Sequence, residues 1–359
     1  MLLQIMVTYW FNQFTAMKKE KKTGALIKGI RFYPVLLMAT SLVLAFFTCY
    51  IITAKKNAID PVHFIKNHTF DHSLPLVERT GSIPSIILNH MKNFDSRPDY
   101  SGYNPDQNDL IIIGNSINLL PGNIRKILNS HLVGIYFIND FLGSGLTDWI
   151  TDEKGNFYCY MVINPVSLKA DLSDYITQKE ATCFKNDSET IKISIDCGRE
   201  HKGFLYILLH ESVHVVDYVT YITPYVEDAV LPFRGEIPDS TPFTEKIWEG
   251  YDRPVQDFAM RKQITFYGLN KGPKISITDA VKLYKDLSET PFVSLYSTMN
   301  WAEDSAEFLT FYHLSAVMGK PYKINVFNKN THLYSCEPMS NPLVKKRIGT
   351  INFFYKQDQ

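Results

Sequence analysis

The run GFLYILLHESVHVVDYVTYI, from Gly203 to Ile222, constrains this chain more than any other segment. It is apolar over a helical length and no Pro or second Gly interrupts it, so the pattern predicts a helix buried on most sides. His210, Glu211, His214 and Asp217 are set into it. Ionisable side chains in such surroundings are costly unless something pairs with them, and a bound metal ion is one such partner.

Residues four apart on a helix lie one turn apart on the same face, so His210 and His214 can offer ring nitrogens to one ion, with Glu211 projecting beside them. In this HExxH arrangement zinc polarises a carbonyl and acidifies water while the adjacent carboxylate takes a proton. Catalytic zinc needs a third protein ligand and an open position. An HExxHxxGxxH continuation is excluded, because position 217 is Asp and position 220 is Thr. The best distant source is NWAEDSAEF, residues 300 to 308, where Asn300 can cap a helix that carries Glu303 and Glu307 on one face. Glu303 is the expected ligand and Glu307 a supporting carboxylate. Asp217 is either a hydrogen-bond partner of a ligand histidine or a polar cap on its own helix.

HESVHVVD at 210 to 217, NWAEDSAEF at 300 to 308 and Tyr296, seven residues ahead of Glu303, together resemble the gluzincins, among them the peptidase domain of anthrax lethal factor and its relatives. The resemblance implies an α+β zincin-like metallopeptidase fold, with a small mixed sheet, an active-site helix and a mostly helical C-terminal subdomain. It also implies one zinc ion on His210, His214 and Glu303, with Glu211 as catalytic base and Tyr296 assisting the oxyanion. About ninety residues separate the two motifs. That is longer than the relatives lead one to expect, so 220 to 290 is expected to carry an insertion.

A second feature is the uncharged stretch from Phe32 to Ala54, long enough to cross a bilayer as a helix. Lys18, Lys19, Lys21, Lys22, Lys28 and Arg31 precede it and only Lys55 and Lys56 follow closely, which orients the N-terminus to the cytoplasm. The sequence thus predicts a cytoplasmic basic tail (1–31), a single-pass transmembrane signal anchor (32–54) and an extracytoplasmic catalytic part, with a lipoprotein or secreted form as the alternative. Cys49 would be the lipidation site.

Beyond the anchor, 55–108 reads as a stalk or loosely structured segment, 109–225 as an N-terminal subdomain with the HExxH helix, and 226–359 as a helical C-terminal subdomain. Leu110–Ile113, Leu132–Ile138, Phe157–Ile163 and Ile191–Ile195 read as strands, the last three forming one small sheet with Phe157–Ile163 as its substrate-binding edge. A helix is expected from Pro121 to Asn129 and another from Thr278 to Leu287. Trp248, Tyr251 and Phe258 are candidate cleft walls, with core packing as the alternative. Cys159, Cys183, Cys197 and Cys336 could pair in an oxidising compartment, Cys183 with Cys197 most easily.

Net charge is +0, so no global field draws the chain to nucleic acid. The sequence therefore predicts a zinc-dependent metallopeptidase acting on a peptide or protein substrate, with membrane contact through 32–54 and no nucleic-acid partner. The competing classes are a non-catalytic zinc-containing peptide-binding module and a zinc hydrolase of a non-peptide substrate.

Overall fold

Two β-branched and aromatic runs set the centre of the fold. The structure, a computed structural model, describes residues 59–224 and 237–355. In chain order its main elements begin with β1 (Thr80–Gly81), α1 (Ser85–Phe94), β2 (Ser101–Tyr103), α2 (Gln107–Leu119) and α3 (Gly122–His131). There follow β3 (Leu132–Asn139), β4 (Gly145–Thr151), β5 (Phe157–Ile163), α4 (Leu172–Ala181), β6 (Ile191–Asp196) and α5 (Gly203–Thr220). After the undescribed stretch come α6 (Ala280–Ser288), α7 (Trp301–Tyr312), β7 (Lys323–Asn328) and β8 (Thr331–Cys336).

The main sheet runs β1-β3-β5-β4, with β2 also pairing to β3. β1 and β5 are parallel to β3, whereas β2 and β4 join antiparallel. Side chains alternate between the faces of a strand. Cys159, Met161 and Ile163 accordingly enter the larger core, while Tyr160 and Val162 enter a second one with Val62, Ile87 and Met91. Both faces of the sheet are covered, which is why β3 and β5 read as continuous apolar runs. Each fully buried large side chain contributes on the order of 1.5–3 kcal/mol of apolar transfer.

α5 packs across the first face, against β4, β5 and α7. Its start is held close: a Cβ on Gly203 would lie 2.3 Å from Tyr175 Cγ of α4, so only glycine fits there. The helix ends at Tyr221, in the left-handed region at φ 58°. α7 begins where Asn300 accepts a hydrogen bond from the Glu303 N–H at 2.9 Å. A second, antiparallel sheet runs β8-β7-β6.

Several expectations change. Among the described residues no helix is long and apolar enough to cross a membrane. The longest apolar helix among the described residues, α5, is largely buried by protein and carries His210, Glu211, His214 and Asp217. The fold is therefore mixed α and β with several small sheets, and the transmembrane anchor and extracytoplasmic placement are withdrawn; 32–54 and Cys49 lie outside the described residues. The C-terminal part is not mostly helical, because β7 and β8 form a hairpin on β6. Ile191–Ile195 belongs to that sheet and not to the main one.

Leu110–Ile113 lies inside α2, where Asp106 and Asp109 form a reciprocal capping box that starts the helix. Phe157–Ile163 is an inner strand, and the edge is β4. The segment expected as a stalk supplies β1 and β2 from residue 80 onward. Among the described residues Cys183, Cys197 and Cys336 form no disulfide, so the Cys183–Cys197 pairing is not made.

Candidate metal centre

One turn of α5 and the first turn of α7 face each other, and three ligand atoms converge between them. His210 Nε2 lies 3.0 Å from Glu303 Oε2, His214 Nε2 lies 3.3 Å from His210 Nε2, and His214 Nε2 lies 3.6 Å from Glu303 Oε2. Donors placed tetrahedrally at 2.0–2.1 Å around zinc stand about 3.4 Å from one another. Two imidazole nitrogens and a carboxylate oxygen, at these separations, fit that ion in geometry and in chemistry.

The electrostatics favour a cation. Burial alone would raise the Glu303 pKa, but hydrogen bonds from His210 and His214 and their charge hold it well below the usual carboxylate range. Burial would lower the His210 pKa, yet Glu303 and Glu307 lift it to about 10. His214 is raised in the same way, its burial outweighed chiefly by Glu303. The cage is thus built for positive charge, whether carried by protons or by a metal.

Glu307, one turn beyond Glu303, meets the other nitrogen of His210. Its Oε1 accepts from His210 Nδ1 at 3.1 Å and from Lys179 Nζ at 3.2 Å, and also from the Tyr206 hydroxyl. Its Oε2 accepts from Ser294 Oγ at 2.5 Å. A carboxylate only accepts, so Nδ1 donates to Glu307, and Nε2, which donates to Glu303 while the ring is doubly protonated, is the nitrogen a metal would take in place of that proton. Burial raises the Glu307 pKa, but Lys179, His210 and Ser294 bring it down to about 2.

Glu211 stands on the wall formed by the edge strand. Thr147 Oγ1 of β4 lies 2.8 Å from Glu211 Oε2 and 3.1 Å from the Glu211 carbonyl oxygen. Gly145 permits this approach, since a Cβ there would meet Glu211 Oε1 at 2.8 Å and Ile207 Cγ2 at 2.9 Å. Tyr296 packs its ring 5.8 Å from that of His210 and edge-on to Phe266 at 5.0 Å, under the Lys179 ammonium at 4.4 Å. Burial, followed by the charges of Glu303, Glu211 and Glu307 and the neighbouring Tyr267, pushes its phenol pKa well up, so it remains a donor.

His210, Glu211, His214, Tyr296 and Glu303 all line one cleft of about 370 Å³, with β4 along one side. Asp217 lies at its end and accepts from the Thr223 N–H at 2.7 Å and the Thr223 hydroxyl at 2.6 Å, fastening the chain that leaves α5. Tyr251 lines the cleft, and Trp248 is buried and donates to Asp304 Oδ2 at 2.9 Å. Phe258 packs partly buried against the main core. Arg347 grips Asp304 with two nitrogens, at 3.1 and 2.5 Å, which locks α7 in place beside Glu303.

Sequence reasoning missed Lys179, Tyr206, Ser294, Thr147 and Gly145. Tyr206 sits four residues before His210 on the same helical face, a spacing that would have revealed it. Lys179 gave no signal, because its partner Glu307 is 128 residues away. No family model matches the chain, nor does any curated protein or solved structure.

Proposed function

We propose that the chain is a zinc-dependent peptidase, in which His210, His214 and Glu303 hold the ion. The observation that carries this is the convergence of those three ligand atoms in a cleft that also holds the Glu211 carboxylate. Bound there, zinc would supply Lewis acidity, polarising a carbonyl and acidifying water.

The chain's own groups do the rest. Glu211, oriented by Thr147, takes a proton as general base and returns it to the leaving amine. Tyr296, held protonated, donates a hydrogen bond to charge that develops on the carbonyl oxygen. Glu307 fixes the His210 ring and its tautomer through Nδ1. β4 is an edge strand: Phe64 bridges to it at Thr151 and His63 donates to its Trp149 carbonyl, but no further strand pairs with it among the described residues. An extended peptide can add beside such an edge through backbone hydrogen bonds, which favours a peptide substrate.

The test is cleavage of a mixed peptide pool by the full chain, with and without chelator, beside Glu211→Gln. We expect chelation to abolish cleavage. The variant should keep its zinc and cleave about 10²–10⁴-fold more slowly. Cleavage by the variant at the parent rate would refute the base assignment, and no cleavage of any peptide by the zinc-loaded parent would refute the peptidase reading.

A further inference from the structure

Consecutive side chains of β4 point to opposite faces of the sheet. Thr147 holds Glu211 on one face, and Asp148 therefore belongs to the other. There it meets His63, at the end of the turn Pro61–His63, and His90 of α1. Each of the three residues offers one ligand atom, and those atoms all lie within 4.8 Å of one another.

All three side chains are held as metal ligands are held. His90 Nδ1 lies 3.0 Å from Asp60 Oδ2, and His63 Nδ1 lies 2.9 Å from the Trp149 carbonyl oxygen. Both partners only accept, so each Nδ1 donates, and Nε2 of His90 is the ring nitrogen turned to Asp148. For His90 this is the usual arrangement of a ligand histidine, whose other nitrogen is tied to a carboxylate or a backbone carbonyl, whereas in His63 the Nδ1 bonded to Trp149 is also the nitrogen 3.8 Å from Asp148 Oδ1. The His63 ring is further fixed by stacking on Trp149, with centroids 4.1 Å apart and planes at 10°. The carboxylate is anchored too, since Asp148 Oδ1 accepts from the Trp149 N–H at 2.9 Å and Oδ2 from the Tyr160 hydroxyl at 2.6 Å.

His90 Nε2 then faces Asp148 Oδ2 at 3.5 Å. The spacing is long for a hydrogen bond and close to the roughly 3.4 Å between donors sharing one zinc ion. All three side chains are largely buried, at 13–15% exposure. Two imidazoles and one carboxylate suit a borderline divalent ion of the zinc class.

We propose that His63, His90 and Asp148 form a second metal site, which takes a zinc-class divalent ion independently of the first centre and clamps residues 60–63 and α1 onto the edge strand. Asp60 and Trp149 position its ligands.

Zinc content of the full chain tests this directly, measured by plasma mass spectrometry after loading and passage through a desalting column. We expect two equivalents in the parent, one in His90→Gln and one in His214→Gln. The single equivalent left in His214→Gln should raise Tm, and adding His90→Gln to that chain should remove both the ion and the rise. Asp148→Asn serves as a second variant, with circular dichroism to verify that each chain is folded. If the parent takes one equivalent that His90→Gln retains, or if folded His90→Gln still takes two, the proposal is overturned and His90 is only a bridge between Asp60 and Asp148. A parent whose only ion is lost in His90→Gln but kept in His214→Gln would uphold this site and refute the first.

Discussion

The Glu307 carboxylate lies 3.1 Å from Nδ1 of His210, on the side of the ring away from Glu303. That contact fixes which nitrogen can reach a metal, and the buried Lys179 ammonium holds Glu307 ionised. Glu307→Gln leaves a donor–acceptor amide in a place that requires an anion. Zinc affinity should fall about 10–100-fold, read by competition with a chromophoric chelator in the His90→Gln background so that only this centre reports. Unchanged affinity would show that the Nδ1 contact does not tune the ligand.

Gly145 is required by the approach of β4 to α5. Gly145→Ala places a methyl within 2.8 Å of Glu211 Oε1 and 2.9 Å of Ile207 Cγ2. Overpacking of this kind destabilises by about 1–3 kcal/mol, and here it also displaces the base. Peptide cleavage should drop at least about tenfold while zinc content is kept, since a misplacement of about 1 Å can cost about a hundredfold in rate. Parent-level kcat/KM in the variant would contradict the assigned position of Glu211.

Glu180 gives the fold a pH dependence separate from the site. Burial lifts its carboxyl pKa to about 7, against the opposing pull of Lys179 and the Tyr284 hydroxyl. The folded chain thus keeps a proton that the unfolded chain releases near pH 4.5. The stability it contributes is fully present below about pH 4.5 and is lost as pH rises through about 7, by on the order of 3 kcal/mol. Glu180→Gln mimics the protonated form. It should unfold in urea much as the parent does at pH 5 but be clearly more stable at pH 8; equal stability at both pH values would contradict this.

What could be read from the sequence was what is local. His210, Glu211 and His214 share a helix with its periodicity intact, and Asn300 announces the helix that carries Glu303 and Glu307, so the two halves of the site were visible as patterns. β3 and β5 were visible for the same reason, each carrying enough β-branched and aromatic residues to outweigh its neighbours. β4 was not, because Gly143, Gly145 and Ser144 read as turn, although the close approach to Glu211 is what demands glycine there. Leu110–Ile113 misled because four apolar residues fit strand and helix alike, and only the Asp106–Asp109 capping box decides. Lys179, Ser294, and the His63–His90–Asp148 group depend on contacts between distant segments, which no local pattern encodes.

Anomalous scattering at the zinc edge, from crystals of the zinc-loaded full chain, is the most direct measurement of the central claim. The account predicts a peak within about 2.0–2.2 Å of His210 Nε2, His214 Nε2 and a Glu303 oxygen. Density at that position with Glu303 turned away from it, or no peak between the two helices, would contradict it.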